Sequence, residues 1–151
     1  MIREETGKDL PIGIMEINSN WSDAAGSDTT ADSHLNAIWW ADVLARMIKQ
    51  DVDMVTHFAL QSNRSGWALM NRTDVRPSFY VYQMYDQLGE SKVAAGSDER
   101  YVTVLAAERA SDSALTVLLV NRADDPITVP FEIAGEPMIS CLLYTSDAAD
   151  D

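Results

Sequence analysis

A chain of 151 residues is the length of one ordinary domain, and with 46% of its residues hydrophobic it has ample material for a core. Its net charge of −13 leaves no basic footprint for nucleic acid or anionic lipid, so neither is expected as a partner. No apolar run approaches the roughly 20 residues of a membrane span, and the N-terminal MIREETGKD lacks the apolar centre of a signal peptide. Cys141 is the lone cysteine and the two histidines, His34 and His57, lack metal-ligand spacing, so no internal disulfide, metal or other cofactor is expected. The chain reads as soluble.

In chain order, Ile12, Ile14 and Ile17 in IGIMEIN predict a buried strand of about 6 residues, because β-branched side chains fit a pleated surface covered on both faces. The strand delivers Glu16 to its C-terminal edge, where the chain turns polar with Asn18, Asn20 and Trp21. Ser19 to Ala31 is rich in Ser, Asp, Thr and Ala and reads as a long rim loop. Asp32 or Ser33 then caps a helix with apolar positions Leu35, Ile38, Trp39, Val43 and Met47, ending near Gln50. Trp39 and Trp40 fall at core spacing in it. Met54 to Leu60 predicts a second strand, and the strand, helix, strand order makes the two strands parallel neighbours with Glu16 and Gln61 at one edge.

A second polar rim segment, QSNRSGWALMNRTD, follows. Pro77 opens a helix through Phe79, Tyr82, Met84, Tyr85 and Leu88, with Gly89 as its stop. Beyond it, Tyr101 to Ala107, Leu115 to Val120 and Ile127 to Phe131 predict three strands of an antiparallel sheet, set off by the polar linker GESKVAAGSDER. The division expected is therefore 1–92, 93–140 and a tail at 141–151. Two parallel strands cannot bury both faces of a sheet, and three or four strands make half a sandwich, so both regions read as parts of larger units.

A carboxylate ending a parallel strand sits where β/α barrels place catalytic groups, and the competing reading for Glu16 is a solvent-facing acid. Trp21 and Trp67 lie beside amides and hydroxyls, as sugar-stacking rings do, or else anchor their loops. Asn18, Asn20, Gln61, Ser62 and Asn63 supply neutral donors and acceptors for hydroxyl groups. His57, facing a barrel interior, would orient a carboxylate or a substrate hydroxyl; the alternative is a core histidine with its hydrogen bonds satisfied. Arg64 and Arg76 would clamp a carboxylated sugar or serve the surface. No nucleophile elbow, phosphate-cradling loop or dinucleotide fingerprint is present.

PIGIMEINSNW, ADSHLNAIWWADVLARMIKQDVDMVTHFALQS, GWALMN and VRPSFYVYQMYDQLG together resemble the last quarter of a clan A glycoside hydrolase, within it the group of β-xylosidases and α-L-arabinofuranosidases. The resemblance covers roughly Pro11 to Gly89. It implies an α/β fold in which strand seven, helix seven, strand eight and helix eight of a (β/α)8 TIM barrel precede part of an antiparallel β-sandwich. It also implies that Glu16 is the nucleophile of a retaining glycosidase acting on a carbohydrate substrate, that no cofactor is used, and that the parent protein is exported. The acid/base partner in that clan ends strand four in an Asn-Glu pair, and no Asn-Glu dipeptide occurs in this chain. The chain is therefore expected to be an inactive fragment. The other reading is a non-catalytic carbohydrate-binding or interaction protein that keeps the rim aromatics; a different β/α-barrel hydrolase is a third.

CLLYTSDAADD, from Cys141 to Asp151, resembles the translation of a sequencing adaptor, with a native acidic tail as the alternative. On the first reading Cys141 carries no biology, the natural chain continues past Ser140, and Met1 is an internal methionine of a longer protein.

Overall fold

The computed structural model describes residues 2–72 and 74–134. A short helix, α1 (Ile2–Thr6), leads into strand β1 (Gly13–Ile17), helix α2 (His34–Lys49) and strand β2 (Met54–His57). A small antiparallel pair, β3 (Met70–Asn71) and β4 (Asp74–Val75), precedes helix α3 (Pro77–Tyr85). Strands β5 (Ser91–Val93), β6 (Val102–Glu108) and β7 (Leu115–Asn121) follow and form one antiparallel sheet in that order.

The βαβ unit forms as its residues dictate. β1 and β2 are parallel, with Gly13 opposite Met54 and Ile14 opposite Val55. Ser33 is the N-cap of α2, its side chain accepting from the Asn36 backbone N–H. The helix closes with two backbone bonds, Asp51 N–H to Ile48 O and Val52 N–H to Met47 O, around Asp51 in the left-handed region at φ 54°. That is a Schellman ending, which satisfies carbonyls the last turn would leave open.

The two helices lie between the two main sheets. On one side Ala37, Trp40 and Val81 pack with Ile17 and Val55 of the parallel pair. On the other, Ala45 meets Leu105, Leu118 and Val120 of the antiparallel sheet, with Ile38, Ile48, Met84, Tyr85 and Leu88 completing the cluster. A helix apolar on two sides of its circumference is one buried between layers. Each large aliphatic side chain so covered contributes about 1.5–3 kcal/mol. Trp40 is wholly buried at the centre, as its helical spacing predicts, whereas Trp39 is half-buried.

Asp42 on α2 ties this layer to the antiparallel sheet. It accepts hydrogen bonds from the Thr103 hydroxyl and from Arg46 Nε, the latter at 2.8 Å, and Arg122 Nε lies 3.5 Å away. Burial works to raise its pKa, but the bonds from Arg46 and Thr103 and the charges of Arg46 and Arg122 outweigh it and hold the carboxyl below its ordinary value.

The mixed α/β class holds, and several finer expectations need correction. Among the described residues there is neither a closed barrel nor a second sheet stacked on the antiparallel one; helices cover that sheet instead, so it is not a sandwich. Ile127 to Phe131 forms no strand. Pro126 and Pro130 flank or interrupt that run and remove backbone donors a ladder would use. A third strand comes instead from β5, inside the segment expected to be a linker, so the expected division between residues 92 and 93 falls within a strand.

The second expected strand stops at His57 rather than Leu60, and α3 ends at Tyr85, three residues before Leu88. Gly89 does more than end a helix: a Cβ there would lie 2.2 Å from the Glu108 backbone, so only glycine lets the chain pass against the end of β6. Residues 135–140 of the expected sandwich and the tail at 141–151 lie outside the described residues.

Candidate functional site

β1 carries an irregularity where its apolar spacing lengthens from two residues, Ile12 to Ile14, to three, Ile14 to Ile17. Between the paired positions Ile14–Val55 and Ile17–His57 it spends one more residue than β2, a β-bulge at Met15 and Glu16. Met15 is 65% exposed and Glu16 is exposed too, while Ile17 turns back into the helix-side cluster. Among the described residues nothing hydrogen-bonds or ion-pairs with the Glu16 carboxylate. The Thr56 hydroxyl holds the bulged backbone by donating to Met15 O.

Two loops then close over this strand end. The Asn18 side-chain amide donates to both Phe58 O and Trp67 O, the second at 3.0 Å, while its Oδ1 accepts from Ser19 N–H at 2.7 Å. The Gly66 N–H donates to Asp23 O at 3.1 Å, and a Cβ on Gly66 would sit 2.2 Å from Ala24 O. Arg76 donates from one guanidinium nitrogen to Ser65 O and Ala68 O at 2.7 and 3.0 Å. These contacts fix the loop after β2 against the loop after β1.

The residues singled out by sequence take different places in this frame. Asn18 is spent on the clamp, which satisfies both of its amide protons and leaves no donor for a substrate. Trp67 is a loop anchor: its ring is half-buried against Phe58, with centroids 5.6 Å apart, and its indole nitrogen is sealed from solvent without a partner among the described residues. Trp21 is the opposite case. It is 92% exposed, the most open of the large apolar side chains, beside Asn20, which is exposed as well. Gln61 is exposed at a parallel bridge with Met70. Arg76 is a structural tie rather than a surface cation.

His57 does not face away from the helices. Its ring meets Trp40 of α2 edge-on, with centroids 4.9 Å apart, and both ring nitrogens are buried without a hydrogen-bond partner among the described residues. Burial pushes its pKa down to about 4, and the Ala59 backbone, near the ring but outside hydrogen-bonding geometry, opposes this only weakly, so it is neutral at pH 7. It lines one side of an apolar groove of about 410 Å³ with Val55, Leu69, Phe79 and Tyr82. The expected role in orienting a carboxylate is thus out of its reach, and the satisfied core histidine is not realised either.

Among the described residues no three His, Cys, Asp or Glu side chains stand together to hold a metal ion, and no helix is long and apolar enough to cross a membrane. Glu16, Asn20, Trp21 and Gln61 remain as exposed groups at the C-terminal side of the parallel strands. That set offers an unpaired carboxylate, an open aromatic face and neutral amides. The bulge and the Asn18 clamp are the features that sequence reasoning missed. No family model matches the chain, and no curated protein matches it.

Proposed function

We propose that this chain is the part of a retaining glycoside hydrolase that supplies the nucleophile, Glu16, and that β1, α2, β2 and α3 are the last quarter of a (β/α)8 barrel. The observation that carries this is the bulge, which exposes an unpaired carboxylate at the C-terminal end of a parallel strand. In such a reaction the carboxylate oxygen attacks the anomeric carbon, the bond to the leaving oxygen breaks, and a second carboxylic acid gives that oxygen its proton. The same second group then activates the water that releases the sugar. It must stand about 5–5.5 Å from the nucleophile. The Asn-Glu pair expected to supply it is not in this sequence, so the acid/base residue is assigned to another part of the parent protein.

The test is Glu16→Gln in the longest reading frame that contains this segment. Hydrolysis of aryl β-xylosides or α-L-arabinofuranosides should fall by roughly 10³-fold or more, since the attacking anion is gone. Retained hydrolysis refutes the assignment. The 151-residue chain alone should show no turnover, and turnover abolished by the same substitution would refute its dependence on a missing acid.

The exposure of Trp21 favours a second reading, a carbohydrate-binding protein without catalysis. Under it Trp21→Ala removes oligosaccharide binding and Glu16→Gln leaves it intact.

A further inference from the structure

Three Asn-x-Ser/Thr triplets occur in the chain: Asn20-Trp21-Ser22, Asn63-Arg64-Ser65 and Asn71-Arg72-Thr73. The triplet is the acceptor pattern for asparagine-linked glycosylation, in which the side-chain amide nitrogen must reach an external donor while the hydroxyl residue two positions on stays accessible. The fold treats the three very differently. Asn20 is exposed, and its Oδ1 accepts from the Ser22 backbone N–H at 2.9 Å, which folds the triplet into a compact turn. Its Nδ2 has no partner among the described residues, and the neighbouring Trp21 stands almost entirely in solvent.

Asn63 is exposed too, but Ser65 is buried at 9% exposure, and its carbonyl is held by Arg76 at 2.7 Å. A transferase would have to pull that loop away from the clamp to reach the hydroxyl. Asn71 is half-buried within β3, paired with Asp74 of β4. Its backbone is fixed in the ladder opposite Asp74 and the chain reverses at once through Arg72 at φ 54°, so the triplet is committed to a hairpin, unlike the free turn at Asn20.

We propose that Asn20 is a modification site, the one asparagine of the three that the folded chain presents as an acceptor for a lipid-pyrophosphate-linked oligosaccharide. The bond formed joins Asn20 Nδ2 to the anomeric carbon of the donor sugar. The bond broken is that carbon's link to the pyrophosphate oxygen, which leaves with the electron pair, and the amide proton passes to a base of the transferase. The attached sugar would begin one residue from Trp21, whose ring can cover its apolar face. This does not depend on Glu16 having any catalytic role.

The experiment incubates the folded full chain with a purified oligosaccharyltransferase and a lipid-linked oligosaccharide, then maps occupied asparagines by mass spectrometry. Synthetic peptides spanning the three triplets run beside it. All three peptides should be modified, whereas the folded chain should be labelled at Asn20, with Asn63 and Asn71 essentially empty. Asn20→Gln and Ser22→Ala should each abolish labelling of the folded chain without changing its circular dichroism. No transfer to Asn20 in the folded chain, rejection of its peptide, or equal occupancy at Asn63 would each overturn the proposal.

Discussion

The two sheets, on either side of the same pair of helices, are built to different ends. The antiparallel sheet turns Leu105, Leu118 and Val120 into the helix layer and adds the charged tie at Asp42, so its contacts are mainly about holding together. The parallel pair also leans on the helices through Ile17 and Val55, yet it leaves Met15 and Met54, with Phe58 and Leu60 of the loop after β2, substantially exposed and lifts an unpaired carboxylate out by a bulge. Parallel strands are ordinarily covered on both faces, so this side of the molecule carries the features of a surface meant to meet something. Stability and candidate function thus separate across one helical layer.

The sharpest way to break that contrast is to remove the largest buried residue of the cluster behind the parallel pair. Trp40→Ala should cost about 3–5 kcal/mol in denaturant unfolding, because a wholly buried indole leaves a large cavity. Water entering that space should also raise the His57 pKa from about 4 towards 6.5, a shift visible in imidazole NMR titration. If instead the pKa stays put, Trp40 is not what keeps the ring dry.

A smaller effect is expected at the sheet tie. Asp42→Asn should destabilise by about 1.5–3 kcal/mol at neutral pH, the range for a hydrogen bond to a charged group, and should leave Arg122 without its counter-charge. Its sign with pH is definite. Because the folded pKa of Asp42 is depressed, its contribution is present above the ordinary carboxylate range and is lost as pH falls through the folded value, so the variant should show a weaker acid limb in thermal melts. His57 adds an earlier limb. With a folded pKa of about 4 against an ordinary 6.5, the unfolded chain binds the extra proton, so stability falls as pH drops from 6.5 to about 4. His57→Phe should flatten that interval.

On the rim, Asn18→Ala should cost about 1–2 kcal/mol by freeing two carbonyls of the loop after β2. Hydrogen exchange should quicken for Ala59 and Leu69, whose N–H groups donate within that loop, while β6 and β7 keep their protection. Least of all, Met15→Lys should change stability by less than about 0.5 kcal/mol, since its side chain packs little. A larger loss would mean that the open face of the parallel pair has a structural load after all.

Much of this contrast was legible from residue spacing, and its failures have physical causes. A cap at Asp32 or Ser33, of which Ser33 is the one used, the end of α2, the parallel pairing and the limits of β6 and β7 within a residue or so all follow from patterns carried by consecutive side chains. What pattern cannot carry is a backbone event with little compositional mark. The bulge at Met15 and Glu16 leaves only a faint mark, the three-residue step from Ile14 to Ile17 after the two-residue step from Ile12 to Ile14. The Asn18 clamp joins residues 40 and 49 positions apart, so its amide looked as available as that of Asn20. β5 was hidden because Ser91 to Val93 is exposed and polar enough to pass for linker. Ile127 to Phe131 erred the other way, apolar enough for a strand but too rich in proline to make one.

The extra residue in β1 gives the candidate carboxylate a margin in chain length. A substitution at Met15 changes a side chain and leaves Glu16 where it is, and deleting Met15 would restore an even ladder in which Glu16 alone stands opposite Thr56, still outward, with Ile17 kept opposite His57. Lineages or designed libraries that vary this segment by exchange can keep the acid in place. Those that drop the Met15 codon would straighten the strand and still present the acid, whereas one further residue inserted between Ile14 and Ile17 would have to be absorbed as a larger bulge.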